Sequence, residues 1–149
     1  MKLPVSVFAL IFSINASANI EKSFNILELK TQECMNLPNT HMSSIDDPWL
    51  ISLDSTSRKV ALLLVKDKLM SKCIESEERN YVYQLYLKYS QENDVQPIVT
   101  WLELKKNGLI EQFDTIVDKP FLNNVARLSN SRIFGAAFDV KDALNAIDN

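Results

Sequence analysis

Glycine occurs only twice in this 149-residue chain, at Gly108 and Gly135, and that scarcity restricts the fold more than any other feature. β-Hairpins, sandwiches and barrels depend on tight turns with positive φ, which glycine adopts at no steric cost. A chain with two glycines is poorly supplied for such turns. An all-β fold is therefore not expected.

Helical periodicity takes its place. Ile20, Phe24, Leu27 and Cys34 recur at helical spacing and predict a helix over 20–36, ended by Leu37-Pro38. A polar connection over 39–52 follows, holding His41, Asp46, Asp47, Pro48 and Trp49. Asp54 or Ser55 then caps a second helix reaching about Cys73. Its Val60–Val65 run is apolar nearly all round, as expected of the central helix of a bundle.

All four tyrosines, Tyr81, Tyr83, Tyr86 and Tyr89, fall in the next element, 76–91. As a strand, Tyr81, Tyr83, Leu85, Leu87 and Tyr89 would line one side in alternation. As a helix, Tyr81, Val82, Leu85, Tyr86 and Tyr89 share one face, with Tyr83 and Leu87 opposite. The helix-starting Ser76-Glu77-Glu78 selects the helix.

The C-terminal part reads as short amphipathic units. Asp94 opens a helix with Pro97 in its first turn, and Asn107-Gly108 closes it. Leu109, Ile110, Phe113, Ile116 and Val117 form a unit stopped by Pro120. Phe121, Leu122, Val125 and Leu128 form another. Ile133, Phe134, Ala137 and Phe138 then lead into Val140, Ala143, Leu144 and Ile147. The expected fold is all-α, an irregular antiparallel helical bundle or short solenoid-like array of about 6–7 helices.

The N-terminus reads as an export signal. Met1-Lys2 is followed by an apolar run from Leu3 to Ile14 and by Ala16-Ser17-Ala18, the three parts of a secretory signal peptide. The apolar run falls short of the roughly 20 residues that span a bilayer. Residues 1–18 are thus expected to be cleaved near Ala18, leaving a single helical domain over 19–149. No cysteine follows the cleavage point to take a lipid anchor, and no later stretch suggests membrane insertion of the mature chain. None of its asparagines begins an Asn-x-Ser/Thr acceptor, which favours the periplasm over a eukaryotic secretory route. Cleavage removes Lys2 and no acid, moving the net charge from −3 to −4. That mild acidity argues against nucleic acid as a partner.

Cys34 and Cys73 are the two cysteines, and in an oxidising compartment an isolated pair forms a disulfide. The export signal therefore turns them from possible ligands or nucleophiles into a staple across the intervening loop.

The residues suggest little chemistry. A phosphate cradle needs clustered glycines, and no cofactor is implied. His41 is the single histidine, and no nucleophile-elbow motif accompanies it. His41, Asp46, Asp47 and Asp54 could surround a cation. However, Asp46-Asp47-Pro48 is ordinary turn and cap chemistry, and the alternating spacing of a calcium loop is absent, so no metal site is expected. Trp49, Tyr83 and Leu87 are the binding candidates, since aromatic side chains bury large area and keep a polar handle. Their structural alternative is packing under the C-terminal units for Tyr83 and Leu87, and at the core edge for Trp49. The expectation is an exported, non-enzymatic helical protein that binds another protein. An immunity or inhibitor protein against a toxin, or an accessory subunit of a secretion or pilus system, would fit. The alternative is a small cell-wall hydrolase using paired carboxylates drawn from Glu75, Glu77, Glu78 and Glu103.

Overall fold

The computed structural model describes residues 9–36, 44–106 and 108–148. The start of the expected signal peptide and the loop bearing His41 lie outside the described residues. Among the described residues the elements are seven helices: α1 (Ala9–Met35), α2 (Pro48–Ser52), α3 (Ser55–Glu92), α4 (Gln96–Lys105), α5 (Gly108–Gln112), α6 (Lys119–Ser129) and α7 (Val140–Asp148). Cys34 and Cys73 form a disulfide. The fold is all-α and stapled once, as the glycine count and the cysteine pair require.

The helix boundaries differ from the sequence reading in four places. The helices expected on either side of Ser76 are one 38-residue helix, α3. Neither glycine nor proline interrupts 55–92, and buried Ile74 packs in the segment expected to be a break. Within the expected loop, Asp47 accepts a hydrogen bond from Leu50 N at 3.1 Å and starts the short helix α2 on Pro48. Gly108 opens α5 with negative φ, and α4 ends instead at Lys106 in an extended conformation. Finally, residues 131–139 are irregular, and the Asp139 carboxylate accepts from Lys141 N and Asp142 N to begin α7.

The chain divides into two compact units, Met1–Lys30 with Ile74–Lys106, and Thr31–Cys73 with Asn107–Asn149. The second unit holds the larger core. Val60, Ala61, Leu62, Leu64 and Val65 of α3 are buried together with Ile45, Leu50, Val125, Leu128, Phe134 and Ala143. The all-round apolar character of 60–65 is explained by this: α2, α6, α7 and the 131–139 segment all contribute to the cluster around it. Asp54 accepts from Thr56 N and Ser57 N and caps α3 as expected. Arg58 donates to the carbonyls of Leu50, Ile51 and Leu53 at 3.1 Å each, satisfying the C-terminal end of α2. Lys72 does the same for α6, donating to Ser129 O at 2.7 Å.

A charged node joins two of these elements. Arg127 of α6 donates through Nη1 and Nη2 to the two carboxylate oxygens of Asp47, at 2.8 and 3.1 Å. Asp47 is buried, and the hydrogen bond from Arg127 holds its carboxyl below the usual carboxylate range, helped by the amides of α2 and opposed by desolvation.

The first unit is thinner. It consists of α1 up to Lys30, α3 from Ile74, and α4. Among the described residues its buried apolar side chains are Leu27, Ile74 and Leu85, with Ser23 turned inward and its hydroxyl donating to Ile20 O at 2.9 Å. Asn93 leaves α3 at φ 57°, a left-handed position that asparagine tolerates better than most side chains.

Two stability measurements test this account. Removing the bridge in a Cys34→Ala/Cys73→Ala variant should lower the unfolding free energy in urea by about 4 kcal/mol, the loop-closure value for a 39-residue separation. Arg127→Met, which strands a buried carboxylate, should cost about 2 kcal/mol at pH 7. Because the folded-state pKa of Asp47 is depressed, its stabilisation is present above about pH 4 and vanishes as pH falls through the lower folded value. The urea midpoint of Arg127→Met should therefore fall less than that of the parent between pH 6 and pH 3.

Candidate functional site

The tyrosine-rich end of α3 is the chemically distinctive surface of the molecule. Helical spacing places Leu85 and Tyr81 on the inward arc and Val82, Tyr86 and Tyr89 on the outward one. Leu85 is 1% exposed and Tyr81 partly buried, whereas Tyr86 is 53% exposed, and Val82 and Tyr89 are also exposed. Tyr83, at 55%, continues this outward surface, and Leu87 is half-buried one turn further on.

Inward from that stripe runs a chain of rings. Phe24 of α1 lies 5.4 Å from Tyr81, and Tyr81 meets Trp101 of α4 edge-on at 5.0 Å. The ammonium of Lys105 sits over Trp101, 5.8 Å from its centroid, and pairs with Glu78 at 3.0 Å. The contacts Tyr81–Trp101 and Glu78–Lys105 run in opposite chain directions, so α3 and α4 are antiparallel. Partial burial pushes the Tyr81 phenol up from its ordinary value, so the ring is neutral across the physiological range. Beside these rings an open groove of about 320 Å³ is lined by Ile20, Glu21, Phe24, Tyr81 and Lys88. A second open cavity of about 500 Å³ is lined by Glu75, Ser76, Arg79, Asn80 and Tyr83.

The three binding candidates do not share one setting. Tyr83 and Leu87 stand one turn apart on α3 in the first unit. Trp49 belongs to the second unit, half-buried on α2 with its ring edge-on to Phe121 at 5.1 Å. That is the core-edge packing weighed as its structural alternative. The aspartates weighed for a cation are engaged in folding: Asp47 with Arg127 and α2, Asp54 with Ser57, and Asp46 with the Ser44 hydroxyl at 3.2 Å. Hydrogen bonds from Ser57 hold the Asp54 carboxyl below its ordinary range. Among the described residues no group of acids, histidine or cysteine could hold a metal ion.

Sequence reasoning missed Val82, Tyr86 and Tyr89 as surface residues. The available signal was the width of the apolar arc. With Tyr81, Leu85 and Leu87 on other sides, 81–89 is apolar over all but the Gln84–Lys88 side, more than the small first unit can cover. No family model, curated protein or solved structure matches the chain.

Truncation separates the two arcs. Tyr81→Ala should destabilise the protein by about 3 kcal/mol in urea unfolding, because it removes the ring joining Phe24 to Trp101. Tyr86→Ala should change stability by no more than about 0.5 kcal/mol, the usual range for an exposed position.

Proposed function

We propose that this chain is an exported, non-catalytic helical protein that works by binding another protein through the first unit. The observation that carries the reading is the uneven distribution of exposed apolar surface. Of the thirteen large hydrophobic side chains exposed among the described residues, ten belong to the first unit, against three in the second. The first unit also has the smaller core, so burial in its own fold does not use its aromatic content. Tyrosine stripes of this kind supply contact area at low entropic cost, and large apolar patches on soluble proteins mark interaction sites.

The acids weighed for cell-wall hydrolysis favour the same reading. Glu75 pairs with Arg79 and Glu78 with Lys105, which engages two of the four with neighbouring bases. Each of the two cavities of the first unit described above is lined by a single carboxylate. An inhibitor or immunity protein acting on a toxin, or an accessory subunit of a secretion or pilus system, is the class of protein this surface suits.

Export to the periplasm is supported by the leader-like sequence and by the disulfide, which persists in oxidising compartments. No helix among the described residues is long and apolar enough to cross a membrane. α1 runs unbroken through Ala18, and cleavage there would leave its residues 19–35 to pack in both units.

A pull-down from periplasmic extract with the tagged protein tests the function. Recovery of a stoichiometric protein partner is expected, and a Tyr86→Asp/Tyr89→Asp variant of unchanged circular dichroism should lose it. Absence of a partner, together with peptidoglycan-cleaving activity, would replace the reading by the hydrolase. N-terminal sequencing of the exported protein should begin at Asn19.

A further inference from the structure

The ring chain of the first unit ends differently on its two sides. At the α4 end, Trp101 carries a cation on its face, Lys105, whose ammonium is also paired with the carboxylate of Glu78. At the α1 end, Phe24 is 43% exposed and lines an open groove with Tyr81, and the exposed carboxylate beside it, Glu21, is paired with no base among the described residues. The two ends thus share aromatic rings and one carboxylate. Among the described residues no cation is seated over a ring at the second.

The other charge at the groove does not fill that place. Lys88 lines it, but its ammonium is drawn to the Asp94 carboxylate at 3.7 Å, on the chain that enters α4. Lys88 and Asp94 balance each other, which leaves the groove with one uncompensated negative charge. An anionic occupant would meet Glu21 and would have to take Lys88 from Asp94. A cationic one finds a carboxylate and two aromatic rings.

We infer that the groove lined by Phe24, Tyr81 and Glu21 receives an arginine or lysine side chain of the bound partner. This rests on the proposed role of the first unit in protein binding, and names one contact within it. The aliphatic stem lies along Ile20 and the rings while the charged head meets Glu21, as Lys105 does with Trp101 and Glu78. The volume of about 320 Å³ is at the small end of ligand sites and suits one long side chain. Exposed ion pairs and exposed cation–π contacts each change affinity by only a few-fold. The groove therefore selects the partner's residue and sets its register, with most of the affinity left to the tyrosine stripe.

The test uses N-acetyl-arginine amide as probe, with the neutral isostere N-acetyl-citrulline amide as control, titrated into the purified protein and followed by the ring resonances of Phe24, Tyr81 and Trp101. Saturable shifts at Phe24 and Tyr81 are expected with the arginine compound. Binding should weaken about fivefold with citrulline and about fivefold in Glu21→Gln, an exposed substitution that leaves the core intact. Equal response to both compounds would mean an apolar groove without charge selection and would overturn the inference. So would no response, or full binding in Glu21→Gln. Such a result, with partner capture still dependent on Tyr86 and Tyr89, would remove this groove alone. Loss of partner capture with arginine binding retained would instead remove the wider protein-binding reading.

Discussion

Burial of Val60–Val65 on almost every side is the constraint around which the second unit is arranged. A helical segment with no polar face must be covered from several directions, and one antiparallel neighbour does not suffice. The short helices α2, α6 and α7 and the irregular 131–139 segment supply that cover, with the tilted ring pair Phe134–Phe138, 4.7 Å apart, as part of it. Short elements have many ends for their length, and every end leaves backbone groups without helical partners. This accounts for the density of capping side chains in this unit: Asp47, Asp54, Asp118 and Asp139 at helix starts, Arg58 and Lys72 at helix ends. The Asp47–Arg127 pair belongs to the same logic, since one carboxylate serves both a helix start and a cation from α6.

The first unit faces the reverse problem. It is built from fewer segments, so fewer ends need capping, but three segments enclose little volume. Leu27, Ile74 and Leu85 are buried in it, and the aromatic side chains that a larger fold would cover stand at the surface or form the Phe24–Tyr81–Trp101 chain. The amphiphilic chemistry of tyrosine makes that arrangement tolerable in water, because each ring keeps a hydroxyl for solvent. A leucine stripe in the same positions would invite aggregation.

Much of this was legible before the structure. Two glycines and repeated three-and-four spacing fix an all-helical chain, and one cysteine pair fixes the staple. The residue Asp54 announces the start of α3, and the all-round run at 60–65 announces the core. The rest was hidden for physical reasons. Ser76-Glu77-Glu78 has the composition of a helix start, yet a start signal has no force where no residue stops the preceding helix. Phe134 and Phe138 are spaced as on a helix and both are buried, but irregular backbone delivers them, because burial selects apolar residues whatever the backbone. Tyr86 and Tyr89 were grouped with Tyr81 and Leu85 on a single face, since spacing shows which residues are adjacent and not how much cover the neighbours provide. Trp49, singled out for standing in a polar loop, packs on Phe121 because that loop contains α2.

The staple also sits at a telling place along the chain. α1 passes from the first unit to the second after Lys30, α3 passes from the second to the first after Cys73, and the bridge joins the two helices within four residues of both crossings. Both cysteines fall in the second unit, so the bridge ties the two ends of its 34–73 segment together. Amide protons of a sparsely buried unit exchange through lower-cost openings than those of a well-packed core, so the first unit is expected to exchange faster than Val60–Val65. A partner seated on the first unit would then raise the protection of one set of amides and leave the other unchanged.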